Sequence, residues 1–286
     1  MTKVVCVTSI DWPDLFPGDH PFLEALRADG FDASFALWDD RRVDWAAFDA
    51  IVIRSVWDYT LRREEFLSWI DAVSAVTTVF NPPRVLAWNS HKGYLRDIER
   101  SGVAVVPTEW LEAGTTVDLL ALLESHGWQD AVVKPAVSAG ARRTVRVDAG
   151  DPAAGQAHLD MLLPREDVMV QPYIAETESR GERSLVYFGG AFSHALRKQP
   201  ALAGGDYSTL DVKRVEPDTR ELELAERVLA GIPERLLYAR ADVILHENVA
   251  QLMELEVIEP QLYFAEAPAS AEKMAAVLRS LLSAGL

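Results

Sequence analysis

At 286 residues with a formal net charge of −16, the chain is too long for one minimal core, and its average surface repels the phosphates of a nucleic acid. With 49% hydrophobic and 25% charged residues, it has the composition of a globular protein rather than a disordered one. No apolar run reaches the ~18 residues of a membrane span, and the opening MTKVVCVTSIDWPD breaks its apolar run at Asp11, so it reads as a first strand rather than a signal peptide. The expectation is a cytoplasmic protein with no nucleic-acid or membrane partner.

KVVCVTS predicts that first strand, with the single cysteine, Cys6, as a small buried hydrophobe. HPFLEALRADG has helical spacing ended by Gly30, DASFALW and AIVIRSVWDY predict two more strands, and RREEFLSWIDAV predicts a helix. Alternating strands and helices imply a parallel sheet in roughly the first 85 residues, with ligands expected at the strands' carboxyl ends, where Asp11, Asp39, Asp40 and Arg54 fall. The prolines of NPPRVLAWN then mark a boundary.

After it, HKGYLRDIERSG, TTVDLLALLESHG and TRELELAERVLAGI predict helices. VAVVPTEWL, DAVVKPAVS, DVMVQPYI, RSLVYFGGAFSHALRK, YARADVIL and VAQLMELEV predict strands, and SAEKMAAVLRSLLSAG a terminal amphipathic helix. Strands outnumber helices here, so the class is α/β followed by α+β lobes.

ELEVIEP places Glu254, Glu256 and Glu259 in a stretch that otherwise suits a buried strand, and a buried carboxylate needs compensation. An antiparallel hairpin turning at residues 247–249 makes Asp242 and Glu254 cross-strand neighbours, and Glu256 shares their face by strand alternation. Converging carboxylates suit a hard divalent cation, Mg²⁺ or Mn²⁺. The competing reading is a solvated edge strand, or pairing with Arg240 opposite Glu256. Lys134 in AVVKPAV and Arg197 in AFSHALRK end apolar strands; with a metal site they suggest a polyphosphate ligand, against the plainer reading of snorkelling strand ends.

The usual nucleotide and hydrolase signatures are absent: the chain contains no GxxxxGK[ST], G-x-G, HExxH, CxxC or GxSxG. What it does contain resembles, in order and spacing, the ATP-grasp superfamily. SHKGYL is similar to the segment of the first ATP lysine, Lys92, and VVKPAVSAGARRT to that of the second, Lys134, with a small-residue loop that closes over phosphates. VQPYI resembles the hinge whose Gln171, Tyr173 and Ile174 face adenine, and RGERSLVYF the segment whose Glu182 takes the ribose hydroxyls. SHALRK resembles the strand ending in the triphosphate-contacting, catalytic arginine, Arg197; RADVIL and LMELEVIEP resemble the segments of the metal carboxylates Asp242 and Glu254. The superfamily usually has Asn where this chain has Glu256.

The resemblance implies an ATP-grasp fold: an N-terminal parallel-sheet domain (1–90) and two lobes (91–172 and 173–286) sandwiching ATP, with two Mg²⁺ ions (Mn²⁺ as a substitute) bridging phosphates to Asp242, Glu254 and Glu256. It implies activation of an amino-acid carboxylate as an acyl phosphate for attack by nitrogen. Arg54 would clamp the substrate carboxylate, Ser55 would donate to it and Glu259 would meet an ammonium; a surface ion pair of Arg54 with Asp58 is the alternative. RSVWDY and MELEVIEPQLYF look most like the branch whose cyclo-ligase closes O-ureido-D-serine to D-cycloserine with loss of CO₂ and NH₃. Dipeptide- or glutathione-synthetase-like joining of two molecules is the alternative, and a non-catalytic nucleotide-binding protein the second. The resemblance allows a homodimer without identifying its interface, and it makes 138–144 and 201–208 the expected mobile loops.

Overall fold

The structure is a computed structural model and describes residues 1–199 and 212–284; the expected loop at 201–208 lies outside the described residues. Three sheets organise it. The first has the strand order β2-β1-β3-β4, with β1 (Lys3–Thr8), β2 (Asp32–Leu37), β3 (Ala50–Ser55) and β4 (Thr78–Phe80) all parallel. Val4, Val5, Cys6 and Val7 are fully buried, the run of apolar residues that a parallel strand covered on both faces requires. Burial pushes the Cys6 thiol up to about 12, so it stays an inert core group.

Helix α1 (His20–Ala28) packs on one face and α2 (Arg63–Ser74) on the other, the latter through Phe66 and Ile70. Helix α3 (Pro83–Asn89) and helix α4 (Tyr94–Arg100) then lead out of the parallel sheet. The second sheet, β5-β8-β6-β7, is antiparallel and consists of β5 (Glu109–Leu111), β6 (Asp130–Pro135), β7 (Val145–Asp148) and β8 (Val168–Pro172). Its apolar face is closed by α5 (Leu119–His126) and α6 (Ala153–Leu162). The strand expected over VAVVPTEWL is reduced to β5, because Val106 instead bonds the carbonyl of Leu252 (3.0 Å).

The third sheet, β11-β10-β9-β12-β13, is antiparallel and follows the short helix α7 (Glu176–Arg180). Its strands are β9 (Glu182–Phe188), β10 (Ala191–Lys198), β11 (Lys213–Val215), β12 (Tyr238–His246) and β13 (Val249–Glu256). Helix α8 (Thr219–Ala230), opened by a capping box of Asp218 and Glu221, covers one face through Leu224, Ala225 and Val228. The last helix, α9 (Ser270–Ser283), returns to the first sheet, where Met274 and Leu278 join Val4, Phe22 and Leu26. No helix among the described residues is long and apolar enough to cross a membrane.

Two β-bulges set which side chains reach the open face of the third sheet. The β12–β13 hairpin turns on two residues, Glu247 (φ 49) and Asn248 (φ 65), left-handed as a two-residue turn between twisted strands requires. That turn alone would put Asp242 opposite Met253; a register shift between Asp242 and Val243 brings it opposite Glu254 instead. The expected pairing therefore holds, but by a tighter turn plus an extra residue. In β9–β10 a second shift, between Phe192 and His194, pairs Lys198 with Glu182 and Arg197 with Arg183. One inserted residue exchanges the faces of every side chain beyond it.

Candidate active site

The open face of the third sheet carries Glu182 and Ser184 from β9, Lys198 from β10, Arg240 and Asp242 from β12, and Glu254 and Glu256 from β13. Asp242, 3% exposed, accepts from Ser184 Oγ (2.7 Å), Lys198 Nζ (2.7 Å) and Arg240 Nε (3.0 Å). Burial pushes its carboxyl up, but Arg240 and then Lys198 outweigh burial and hold it well below the usual range. Lys198 also lies 3.2 Å from Glu182. Arg240 bonds Glu256 and donates to the carbonyl of Gln261 (3.1 Å).

Lys92, in the turn between α3 and α4, reaches Glu254 (2.8 Å) and donates to the carbonyl of Ser138 (2.6 Å). Burial raises the Glu254 carboxyl, but Lys92 and then Lys134 bring it below its ordinary value. Lys134, on β6, makes no ion pair among the described residues. Burial lowers its ammonium, Glu254 works against that, and Lys92 adds to it. Glu256 and Glu259 go the other way. Burial, against Arg240 and with Glu254, lifts Glu256 to about 7; burial and then Glu256 lift Glu259 to about 8.

The sequence expectation assigns Asp242, Glu254 and Glu256 to a metal. Asp242, Glu254 and Glu256 do share one sheet face, but among the described residues no group of three acids stands close enough to hold a metal. Lys198, Lys92 and Arg240 lie against the carboxylates instead. The pairing of Arg240 with Glu256, the competing reading of the sequence, is therefore realised. The donor chemistry fits Mg²⁺, because Asp242, Glu254 and Glu256 offer hard carboxylate oxygens from two adjacent strands.

The structure does not bring Arg197 to this cluster. It stands opposite Arg183, whose Nε lies 3.9 Å from Glu221 of α8, on the face that α8 covers. Lys198, missed in the sequence, is the β10 cation beside Asp242; only the bulge distinguishes it from its neighbour. The other overlooked group is Arg240, named only as a partner of Glu256, which grips Asp242 as well. Its signal was the R-x-D spacing, which alternation places on one face.

Arg54 and Ser55 lie in the interior. Arg54, 1% exposed, donates to Asp19 (2.7 and 3.0 Å) and the carbonyl of Pro260 (2.7 Å), leaving Nη1 as its unpartnered nitrogen. The alternative pairing with Asp58 is overturned: Asp58 accepts from Arg62 (2.6 Å) and Trp38 (3.0 Å). Ser55 Oγ is 3.0 Å from Thr8 Oγ1. Glu259 is 5% exposed, and Trp57 Nε1 donates to its carbonyl (3.2 Å). At the end of β8, Gln171 donates to Thr108 (2.8 Å), Arg146 sits 3.7 Å from the Tyr173 ring centre, and Ile174 packs with Ile244, two residues beyond Asp242.

Comparison with known proteins agrees with this architecture. The N-terminal domain family of the D-cycloserine synthetase DcsG matches residues 4–81. The chain is 30% identical over 259 residues to the cycloserine biosynthesis protein DcsG of Streptomyces lavendulae, covering 85% of this chain and 86% of that protein. A crystal structure of D-cycloserine synthetase DcsG superposes with a TM-score of 0.88 at 28% identity, covering 98% of this chain and 99% of that one. The ATP-grasp ligase PsnB, complexed with a precursor variant, Mg and ADP, superposes at 0.67 with 19% identity, covering 98% of both chains, and shares the fold. The chain belongs to the DcsG family and has the ATP-grasp fold.

Proposed function

We propose that this chain uses ATP and Mg²⁺ to activate the carboxylate of a small amino-acid-like substrate as an acyl phosphate, which a nitrogen then displaces to form a C–N bond. The observation that carries the reading is the single sheet face holding Glu182, Lys198, Arg240, Asp242, Glu254 and Glu256 beside Lys92 and Lys134. Such a balance of buried acids and bases suits a polyanion that arrives with its own cation. Lys134 is ready to neutralise phosphate. Lys92 and Lys198 each hold a carboxylate that they can exchange for phosphate oxygens. Asp242, Glu254 and Glu256 would hold Mg²⁺, which supplies counter-charge to the transferring phosphoryl group.

Gln171, Tyr173 and Ile174 border the adenine, and Glu182 takes the ribose hydroxyls. Arg240, fixed between Asp242 and Glu256, is placed to stabilise the oxyanion formed as nitrogen adds to the acyl carbon. Glu259 meets the substrate ammonium. The phosphate leaves with the electron pair of the former carboxylate oxygen, so no protein nucleophile is required.

Membership of the DcsG family supports a finer reading: O-ureido-D-serine, phosphorylated on its carboxylate, closes on its own aminooxy nitrogen with loss of phosphate, and one water hydrolyses the N-carbamoyl bond to give D-cycloserine, CO₂ and NH₃. Intramolecular attack needs one substrate pocket and gains from proximity. The test is phosphate release from ATP and Mg²⁺ with single amino acids, O-ureidoserine of both hands included, and then with pairs. Turnover with O-ureido-D-serine alone, yielding ring and ammonia, is expected. Turnover only with pairs makes the enzyme an intermolecular ligase, and silence throughout refutes the ligase reading.

A further inference from the structure

Strand β13, which carries Glu254 and Glu256, lies at the edge of its sheet. Edge backbone groups that are buried need partners. At Leu252 the chain itself supplies them, through the carbonyl of Ala104 and the amide of Val106. At Leu255 and Val257 side chains take over. Tyr94 Oη accepts from Leu255 N (2.9 Å) and donates to Leu255 O (2.8 Å). Asn89 Nδ2 donates to the same carbonyl (2.8 Å), and its Oδ1 accepts from Val257 N (3.1 Å). Asn89 is 7% exposed, Tyr94 2%, Leu255 1% and Val257 0%, so water does not replace these bonds.

Asn89 and Tyr94 flank Lys92, which itself bonds Glu254. One short segment thus grips the end of β13 three times: twice by the backbone, at Leu255 and at Val257 just beyond the strand, and once by the carboxylate of Glu254. Backbone held at 255 and 257 fixes the direction of 254 and 256, because alternate side chains take opposite faces and a one-residue slip would turn both glutamates away.

We propose that Asn89 and Tyr94 are positioning residues of the ligase: without touching nucleotide or metal, they set the affinity for Mg²⁺ by aiming Glu254 and Glu256. The proposal rests on the reading of those two glutamates as Mg²⁺ ligands. Its test is calorimetric binding of ADP in EDTA and in saturating Mg²⁺, the quantity being the tightening that Mg²⁺ brings. Glu254→Gln should abolish the tightening. Tyr94→Phe and Asn89→Ser should each cut it roughly tenfold or more, the usual effect of removing a group that orients a metal ligand, with metal-free ADP affinity unchanged. If Tyr94→Phe or Asn89→Ser folds, melts at a lower temperature and keeps the wild-type tightening, the residues are merely structural and the proposal fails. If Glu254→Gln also keeps it, the metal assignment fails first.

Discussion

Lys198→Met should destabilise the protein by removing the β10 cation that pairs with Asp242 and Glu182. Its ammonium lies 2.7 Å from Asp242 and 3.2 Å from Glu182, with 15% of its side chain exposed. Removing one partner of a buried ion pair costs about 3–5 kcal/mol. Arg240 still grips Asp242, so the low end, about 3 kcal/mol, is appropriate. For a chain of this size, each kcal/mol moves Tm by about 2–4 °C, giving a fall of about 6–12 °C in differential scanning fluorimetry without nucleotide. Combining the change with Asp242→Asn should recover part of the loss, since groups in contact are not additive. Arg197→Met should show no coupling to Asp242→Asn. A Tm for Lys198→Met within about 1 °C of wild type, or coupling at Arg197 instead, would refute the assignment of faces.

The stability of the unliganded protein should depend on pH through two opposed groups. The carboxyls of Glu256 and Glu259, raised to about 7 and 8, bind protons in the folded state that the unfolded chain has released. Stability therefore falls as pH rises from the unfolded carboxyl value through about 8. Glu259→Gln should flatten that fall in urea titrations. Asp242 and Glu254, both depressed, give stability that is lost as pH drops below the ordinary carboxylate range. Arg54→Ala strands the buried Asp19 and should destabilise by about 3–5 kcal/mol; Arg54→Ala with Asp19→Ala should recover part of this, and additive losses would contradict the pairing of Arg54 with Asp19. Glu247→Gly relieves a left-handed residue of the β12–β13 turn and should stabilise by about 1 kcal/mol by urea unfolding.

The elements were legible because their signals are local. Paired runs of apolar residues gave β1 to β3, and the helical spacing of RREEFLSWIDAV and TRELELAERVLAGI gave α2 and α8. Asp242 opposite Glu254 is expected from a symmetric turn about Asn248, but the chain reaches it by a two-residue turn and a compensating bulge. What the sequence hides is parity. Ser193 and Met253 are the extra residues of the two bulges, and nothing in FSHALRK or QLMELE announces them. The choice of Lys198 over Arg197 depends on the first of them. Arg54 misled for a related reason: a strand's carboxyl end suggests a ligand, but Asp19, which occupies this arginine, is 35 residues away. The salt-bridged state of the acids was hidden too, because it depends on Lys92 and Lys198 arriving from different elements.

The central claim, activation of a carboxylate by phosphorylation, is tested most directly by labelling the substrate carboxylate with ¹⁸O and analysing the phosphate released during turnover with ATP and Mg²⁺. Transfer of one ¹⁸O to inorganic phosphate for each ring formed is the expected result, because the acyl phosphate leaves with a former carboxylate oxygen. Ring formation with unlabelled phosphate, or phosphate release that does not depend on the carboxylate, would contradict the account.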